Sequence, residues 1–115
     1  MLYIYAILGI LAKTNTEARY LMKYEYQFPA MKKLDEWSFG EQITKVTFET
    51  SELVEALRCT EGNMDEILEN VAKEAMDVIH SAETLLRILE KRHVKIDSIY
   101  DGTIEKNRKR HYYGE

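Results

Sequence analysis

Residues that interrupt helices or cross-link a chain are scarce in this sequence. Its 115 residues include one proline, Pro29, five glycines and one cysteine, Cys59. Few prolines and glycines leave long stretches without a helix breaker and without the regular turn signals of an all-β protein. A lone cysteine excludes a disulfide within the chain, as is common in proteins of a reducing compartment. We therefore expect an all-α, cytoplasmic protein.

An excess of positive charge is also missing. The formal net charge is −4, with 45% apolar and 31% charged residues. This balance is typical of a single globular domain, and the negative charge opposes general binding to nucleic acid. A nucleic-acid binder is one alternative, because the basic stretch from Lys106 to Arg110 is followed by the aromatic residues Tyr112 and Tyr113. Because the chain is acidic overall, we expect no nucleic-acid partner.

The longest apolar run, from Leu2 to Ala12, is too short to cross a membrane. It has about eleven residues, whereas a membrane-spanning helix needs roughly 20. No lysine or arginine precedes Lys13, so the basic start of a signal peptide is missing as well. We expect no membrane partner and a role in burial or oligomer packing. The chain then divides into an apolar N-terminal extension with a short helix, residues 1–34, and a helical domain, residues 35–113.

Capping signals and apolar residues at steps of three and four predict helices along the rest of the chain. Three of the predicted helices begin with a capping pair: Thr14 with Glu17, Ser38 with Glu41, and Asn63 with Glu66. They are predicted to end before Pro29, near Thr60 and at Lys91, respectively. The fourth begins at Asp97 and ends at the basic segment that starts at Lys106. No flexible linker separates the predicted helices. Short connections favour antiparallel neighbours, so we expect one helical bundle.

Two acidic pairs lie on the predicted central helices. Glu49 with Glu52, and Glu74 with Asp77, are three positions apart, which places each pair on adjoining turns of one helix face. At about 100° per residue, each pair borders the apolar stripe of its helix. If the helices pack antiparallel, the carboxylates meet across a groove, where like charges about 4 Å apart repel by roughly 1–4 kcal/mol. Such a cluster favours magnesium or manganese, while ordinary solvated charge is the alternative explanation.

These pairs resemble the signature of the MazG-like, all-α nucleoside triphosphate pyrophosphohydrolases. That signature is Glu-x-x-Glu, an intervening stretch and then Glu-x-x-Asp, and both halves are present at Glu49–Glu52 and Glu74–Asp77. The family-like ending Glu-Leu-x-Glu-Ala starts at Glu52. The first half departs from many relatives at Thr50, where they have a second glutamate.

Two flanking segments extend the resemblance over roughly residues 35–113. Glu36-Trp37 resembles the tryptophan-bearing entry to the first family helix, and Lys106-Asn107-x-x-Arg110 resembles the terminal Asn-x-x-Arg segment. Thr103 stands where relatives have a lysine about one turn before the asparagine. The first 34 residues match nothing in the family pattern.

The resemblance implies an enzyme. The implied reaction is magnesium-dependent hydrolysis of a nucleoside or deoxynucleoside triphosphate to the monophosphate and pyrophosphate. The implied metal ligands are the catalytic carboxylates themselves, one of which can act as base to the attacking water: Glu49, Glu52, Glu74 and Asp77. The family also implies a MazG-like helical bundle completed by oligomerisation, as a homodimer or homotetramer.

The implied substrate contacts each have a plainer alternative. Lys45 lies on the side of the first acidic pair and either contacts a phosphate or balances the glutamates. Trp37 either stacks on a nucleobase or anchors the core. Lys106, Asn107 and Arg110 either bind phosphate and sugar or base, or form a solvated basic tail.

The alternative function is a non-catalytic helical interaction module. In that case the acidic pairs are surface charge and the apolar start of the chain binds a partner. Magnesium or a nucleotide would raise the melting temperature of the enzyme but not of the module.

Overall fold

The computed structural model describes residues 21–59 and 61–114 of the chain. The regular secondary structure in these ranges is helical throughout: a 3-10 turn at Leu34–Glu36 and the helices α1 (Phe39–Arg58), α2 (Met64–Lys91) and α3 (Ile96–Lys109). The all-α prediction is therefore confirmed for the described part of the chain. The residues fall into two compact units, one of residues 25–96 and one of residues 21–24 with 97–114.

Both long helices begin with the capping box that the sequence predicts. The Ser38 hydroxyl accepts a hydrogen bond from the Glu41 backbone N–H at 3.0 Å, and the Glu41 carboxylate accepts one from the Ser38 N–H at 3.3 Å. Asn63 and Glu66 form the same reciprocal pair at 2.9 and 3.0 Å. Two backbone donors that lack helical partners are thus satisfied at each start. The predicted starts of α1 and α2 are confirmed.

Gly62 lies in the connection that precedes α2. Its φ is +92°, a left-handed conformation that glycine adopts without strain. A Cβ at this position would lie 2.8 Å from Glu66 Oε1, the carboxylate oxygen that accepts the capping bond. A side chain here would therefore strain the backbone and displace the cap.

Helices α1 and α2 run antiparallel. The Gln42 side chain, near the start of α1, bonds to the Ser81 carbonyl in the second half of α2 at 2.9 Å. Further along α1, Glu49 approaches Glu74 and Asp77, which lie earlier in α2. Residues that come later in α1 therefore lie beside residues that come earlier in α2. The core of this unit forms around four buried apolar residues: Leu34, Ala56, Ile88 and Ile96.

The two faces of this hairpin differ in character. Most of the exposed large apolar side chains form one stripe on each helix: Phe39, Ile43, Val54 and Leu57 on α1, and Met64, Leu68 and Ile79 on α2. At about 100° per residue, each stripe is rotated in the same sense from the core-facing residues of its own helix. Because the helices are antiparallel, both stripes fall on one face of the hairpin. The acidic pairs are rotated in the other sense and fall on the opposite face.

A buried carboxylate holds the segment that precedes the 3-10 turn. Glu83 in α2 is 2% exposed and accepts hydrogen bonds from the backbone N–H groups of Gln27, at 3.0 Å, and Phe28, at 2.9 Å. The Arg87 guanidinium donates to the Phe28 carbonyl at 2.7 Å. These backbone groups therefore bond to side chains instead of to helical neighbours. The helix predicted to continue to Pro29 is wrong over residues 21–28, and its predicted start falls outside the described residues.

In the other unit, residues 21–24 bond to carboxylates on α3. The backbone N–H groups of Met22 and Tyr24 donate to Asp101, at 3.2 Å, and Asp97, at 2.8 Å. The rings of Tyr24 and Tyr100 meet edge to face with centroids 5.2 Å apart. Since α3 begins at Ile96, Asp97 lies in its first turn and is not the N-cap that the sequence predicts.

Within the described ranges, none of the helices combines the length and the apolar character that spanning a bilayer requires. The apolar tract from Leu2 to Ala12 lies outside those ranges, so its predicted role in burial or oligomer packing stays a prediction.

Candidate metal centre

Three of the four predicted carboxylates converge on one point. Glu49 on α1 and Glu74 and Asp77 on α2 each offer a carboxylate oxygen, and these oxygens lie within 4.8 Å of one another. Glu49 and Glu74 are partly buried, and Asp77 is exposed. The antiparallel hairpin therefore joins acids that are about a quarter of the chain apart in sequence into a group that can hold a cation.

Glu52 lies at the edge of this group. It is exposed and is not among the three carboxylates whose oxygens converge. Its negative charge nevertheless raises the pKa of Glu74, and this effect on Glu74 is larger than the effect of Asp77 or of Glu49. Glu52 is thus close enough to Glu74 to act on it electrostatically.

Glu74 is the most perturbed member of the group. Burial is the first cause of a pKa raised above the ordinary value of 4.5, since burial penalises the charged form. The carboxylates that raise the pKa further, in order of size, are Glu52, Asp77 and Glu49. Its Oε1 is buried and has no hydrogen-bond partner among the described residues. An oxygen in this setting is stabilised either by a proton or by a cation.

Lys45 partly neutralises the group. Its ammonium lies 3.1 Å from Glu49 Oε2, one helical turn along α1, and the two side chains are 50% and 13% exposed. The interpretation of Lys45 as a balancing charge thus has a direct contact behind it. Half of the Lys45 side chain remains in solvent.

A cavity of about 230 Å³ adjoins the carboxylates, and Trp37 and Lys45 lie in its wall together with Glu49 and Asp77. Trp37 is half-buried at the end of the 3-10 turn. The structure therefore places two of the predicted substrate residues beside the carboxylate group. A larger groove of about 430 Å³ runs along α1, but one helix alone lines it and none of the converging acids does.

The remaining predicted substrate residues belong to the other unit. Lys106 and Asn107 lie in the last turns of α3, and Arg110 follows that helix. The backbone N–H of Arg110 donates to the carbonyls of Lys106 and Asn107 at 3.2 Å. The guanidinium lies 5.9 Å from the Tyr112 ring centroid. Their roles in substrate binding stay predictions.

Two polar residues of the cavity wall, Gln42 and His80, did not emerge from the sequence as site residues. Gln42 is 1% exposed, although glutamine is usually found at the surface. At about 100° per residue it lies on the core-facing side of α1, two turns before Glu49. A polar residue on an otherwise apolar stripe was the available signal. His80 is partly buried and stacked on Phe28.

Comparison with known proteins adds no family assignment. No family model matches the chain, and neither a curated protein nor a solved structure is significantly similar to it. The MazG-like resemblance therefore depends on the residues described above.

Proposed function

We propose that this protein is a MazG-like pyrophosphohydrolase that cleaves a nucleoside or deoxynucleoside triphosphate to the monophosphate and pyrophosphate with magnesium. The observation that carries the proposal is the convergence of Glu49, Glu74 and Asp77 from two helices. Carboxylate oxygens without nitrogen or sulfur ligands suit a hard cation, magnesium or else manganese. The group lies on an open face of the hairpin, where a triphosphate can approach.

Each carboxylate has a role in this proposal. Glu49, Glu74 and Asp77 bind the metal, and Glu52 completes the set or orients the attacking water as its base. When bound, the metal neutralises charge on the phosphate oxygens and lowers the pKa of the water. Glu74 fits the central position because its Oε1 is buried and unpaired among the described side chains.

Lys45 and Trp37 supply the nearby substrate contacts. Lys45 already lies beside Glu49, so it can bind a phosphate oxygen when the metal takes over the glutamate charge. Trp37 offers an aromatic surface in the adjoining cavity. Lys106, Asn107 and Arg110 are proposed as phosphate and sugar or base contacts on the resemblance alone.

The exposed apolar face supports a homodimer or homotetramer. Leu57, Met64 and Leu68 are 68%, 65% and 57% exposed on that face, which is unusual for large apolar side chains gathered together. Burying such a face against a second copy would leave the acidic face open. A reducing cytoplasm, where nucleotides are abundant, is the proposed location.

The decisive experiment is a product analysis. A panel of nucleoside and deoxynucleoside triphosphates is incubated with magnesium, and pyrophosphate and orthophosphate are measured separately. Glu74→Gln should abolish pyrophosphate release, because the neutral amide removes a metal-ligating oxygen. Glu69→Gln, an exposed glutamate on the same helix, is the matched control and should keep full activity. Orthophosphate as the sole product, or full activity in Glu74→Gln, would refute the proposal.

The exposed apolar face also favours a second candidate, a non-catalytic interaction module. For a module, magnesium and triphosphate together would leave the melting temperature unchanged and no pyrophosphate would form. For the enzyme, both readouts respond, and both responses require Glu74.

A further inference from the structure

The cavity beside the carboxylate group has a polar inner wall as well as an apolar one. Met31 and Trp37 supply apolar surface, Glu49 and Asp77 join it to the acidic group, and Gln42 and His80 supply further polar atoms. Its volume of about 230 Å³ is below the roughly 300–1,000 Å³ of pockets that enclose a drug-sized ligand. It is suited to one planar ring and not to a whole nucleotide.

Gln42 presents an unpaired acceptor in this wall. Its Nε2 donates to the Ser81 carbonyl at 2.9 Å. Because a carbonyl oxygen only accepts hydrogen bonds, the atom of the Gln42 amide that faces Ser81 must be the nitrogen. The oxygen, Oε1, therefore occupies the other position of the amide. Oε1 is buried and accepts no hydrogen bond from any described residue. With the residue 1% exposed, an acceptor left in this state destabilises the protein unless another donor reaches it.

His80 presents a second unpaired atom in the same wall. Its ring stacks on Phe28 with centroids 4.8 Å apart and planes at 18°. Nε2 is buried and has no hydrogen-bond partner in the part of the chain that the structure describes. A neutral imidazole nitrogen either donates or accepts, according to its tautomer. Since the ring is held by stacking, Nε2 offers a positioned complement to a ligand edge.

We propose that Gln42 and His80 form a recognition site for the nucleobase of the substrate. Gln42 Oε1 accepts an N–H from the base, and His80 Nε2 pairs with the neighbouring atom of the same edge. This inference rests on the proposed function and adds the group that selects the base. A nucleobase fits because it combines flat apolar faces with a polar edge, and an N–H donor is what an unpaired buried acceptor requires.

The same arrangement gives the base and the phosphates of a nucleotide separate binding sites. Glu49 and Asp77 lie in both the cavity wall and the acidic group, so a base in the cavity has its phosphates directed along the carboxylates. Discrimination between bases then depends on hydrogen bonding, because a site with buried polar groups rejects a ligand that leaves them unpaired.

Binding measured by calorimetry tests the inference separately from catalysis. The probes are α,β-methylene analogues of the nucleoside triphosphates and inorganic tripolyphosphate, each with magnesium. The parent protein should bind at least one nucleotide analogue about tenfold more tightly than tripolyphosphate, as one buried hydrogen bond allows. Gln42→Met should remove that preference and leave tripolyphosphate binding unchanged. His80→Phe, which keeps the stacking, should weaken the preference in the same direction.

Gln27→Met, a change at an exposed glutamine of the same unit, is the matched control and should retain the preference. If Gln42→Met does not fold, the parent protein is measured with its best nucleotide and with an analogue whose base N–H donor is methylated or removed. That analogue should bind about tenfold more weakly.

The outcomes separate the two proposals. Tripolyphosphate binding without preference for any base, or a preference that survives in folded Gln42→Met, would overturn the base site and leave the metal and phosphate site intact. Failure of magnesium with tripolyphosphate to bind at all would overturn the proposed function itself.

Discussion

At the scale of single residues, Glu74 concentrates the chemistry of the site. Its buried oxygen has no described partner, and burial together with three neighbouring acids raises its pKa. In the absence of metal, these effects oppose the charged form. A divalent cation reverses them, because it replaces repulsion among the acids by shared attraction. If the proposed metal site exists, the same carboxylate therefore weakens the metal-free protein and stabilises the metal-bound one.

Glu74→Gln should separate these two effects. Without metal, we expect the melting temperature of this variant to equal or exceed that of the parent, since the neutral amide removes repulsion. With magnesium at about 100 times its dissociation constant, the parent should gain roughly 2.7 kcal/mol of unfolding free energy and the variant little or none. Calorimetric melting with and without magnesium measures both. Glu69→Gln should behave as the parent, and a magnesium response retained in Glu74→Gln would contradict the assignment.

The raised pKa of Glu74 also predicts a pH dependence. A pKa above the ordinary 4.5 means that the folded protein holds this proton more tightly than the unfolded chain. The resulting contribution to metal-free stability is present below the unfolded value and is lost as pH rises through the folded value. Magnesium affinity should change in the opposite direction, increasing over the same pH range because the proton competes with the ion. Calorimetric titration of magnesium across this range checks the sign, and affinity independent of pH would contradict it.

At the scale of elements, the helix starts depend on single side chains. Ser38→Ala should lower the free energy of unfolding by about 1 kcal/mol, because the Glu41 N–H loses its acceptor and the capping box is broken. Urea denaturation measures the change. Ser51→Ala is the matched control within α1, since the Ser51 hydroxyl donates to the Thr47 carbonyl in the helix interior, at 3.2 Å, and does not cap the helix start. Equal losses in the two variants would argue against a specific cap.

The segment before the 3-10 turn depends on one buried carboxylate. Glu83→Ala should reduce the free energy of unfolding by at least about 2 kcal/mol, because the Gln27 and Phe28 N–H groups lose their acceptor. Hydrogen exchange at these two amides should accelerate more than exchange within α1. Glu90→Ala, which removes an exposed bond to the Tyr26 hydroxyl, should have a smaller effect on both measurements. Unchanged exchange in Glu83→Ala would show that the segment is held by other contacts.

At the scale of the whole molecule, the two faces of the α1–α2 hairpin have opposite consequences. In the proposed enzyme, the acidic face binds a cation and needs access to solvent for substrate. The opposite face exposes large apolar side chains, and such patches are usually covered by a partner. A second copy that covers the apolar face satisfies both requirements at once.

Leu57→Ser should therefore shift the proposed oligomer toward monomer. Leu57 is 68% exposed in the apolar stripe, so the substitution removes apolar area from the proposed interface without creating a cavity in the core. Phe48→Ser is the matched control, because Phe48 is 60% exposed on a different side of α1. Sedimentation velocity distinguishes the species. A monomeric parent protein, or an equal shift in both variants, would contradict an interface on this face.

The sequence by itself determined the two long helices and the acidic pairs of the candidate site. The capping boxes at Ser38 and Asn63 and the spacing of apolar residues act over one or two helical turns. They can therefore be predicted from the sequence without knowledge of any tertiary contact. The spacing of Glu49 and Glu52, and of Glu74 and Asp77, is likewise a local property. Antiparallel packing then followed from the short connection between the helices.

Only the tertiary structure decided which distant groups meet. The segment over residues 21–28 forms no helix because its N–H groups bond to Asp97, Asp101 and Glu83, which lie more than 50 positions away in the chain. The unpaired buried atoms of Gln42 and His80 became visible for the same reason. The burial of a side chain and the presence of an unpaired hydrogen-bonding group depend on which residues pack against it. The local periodicity of the sequence does not contain that information.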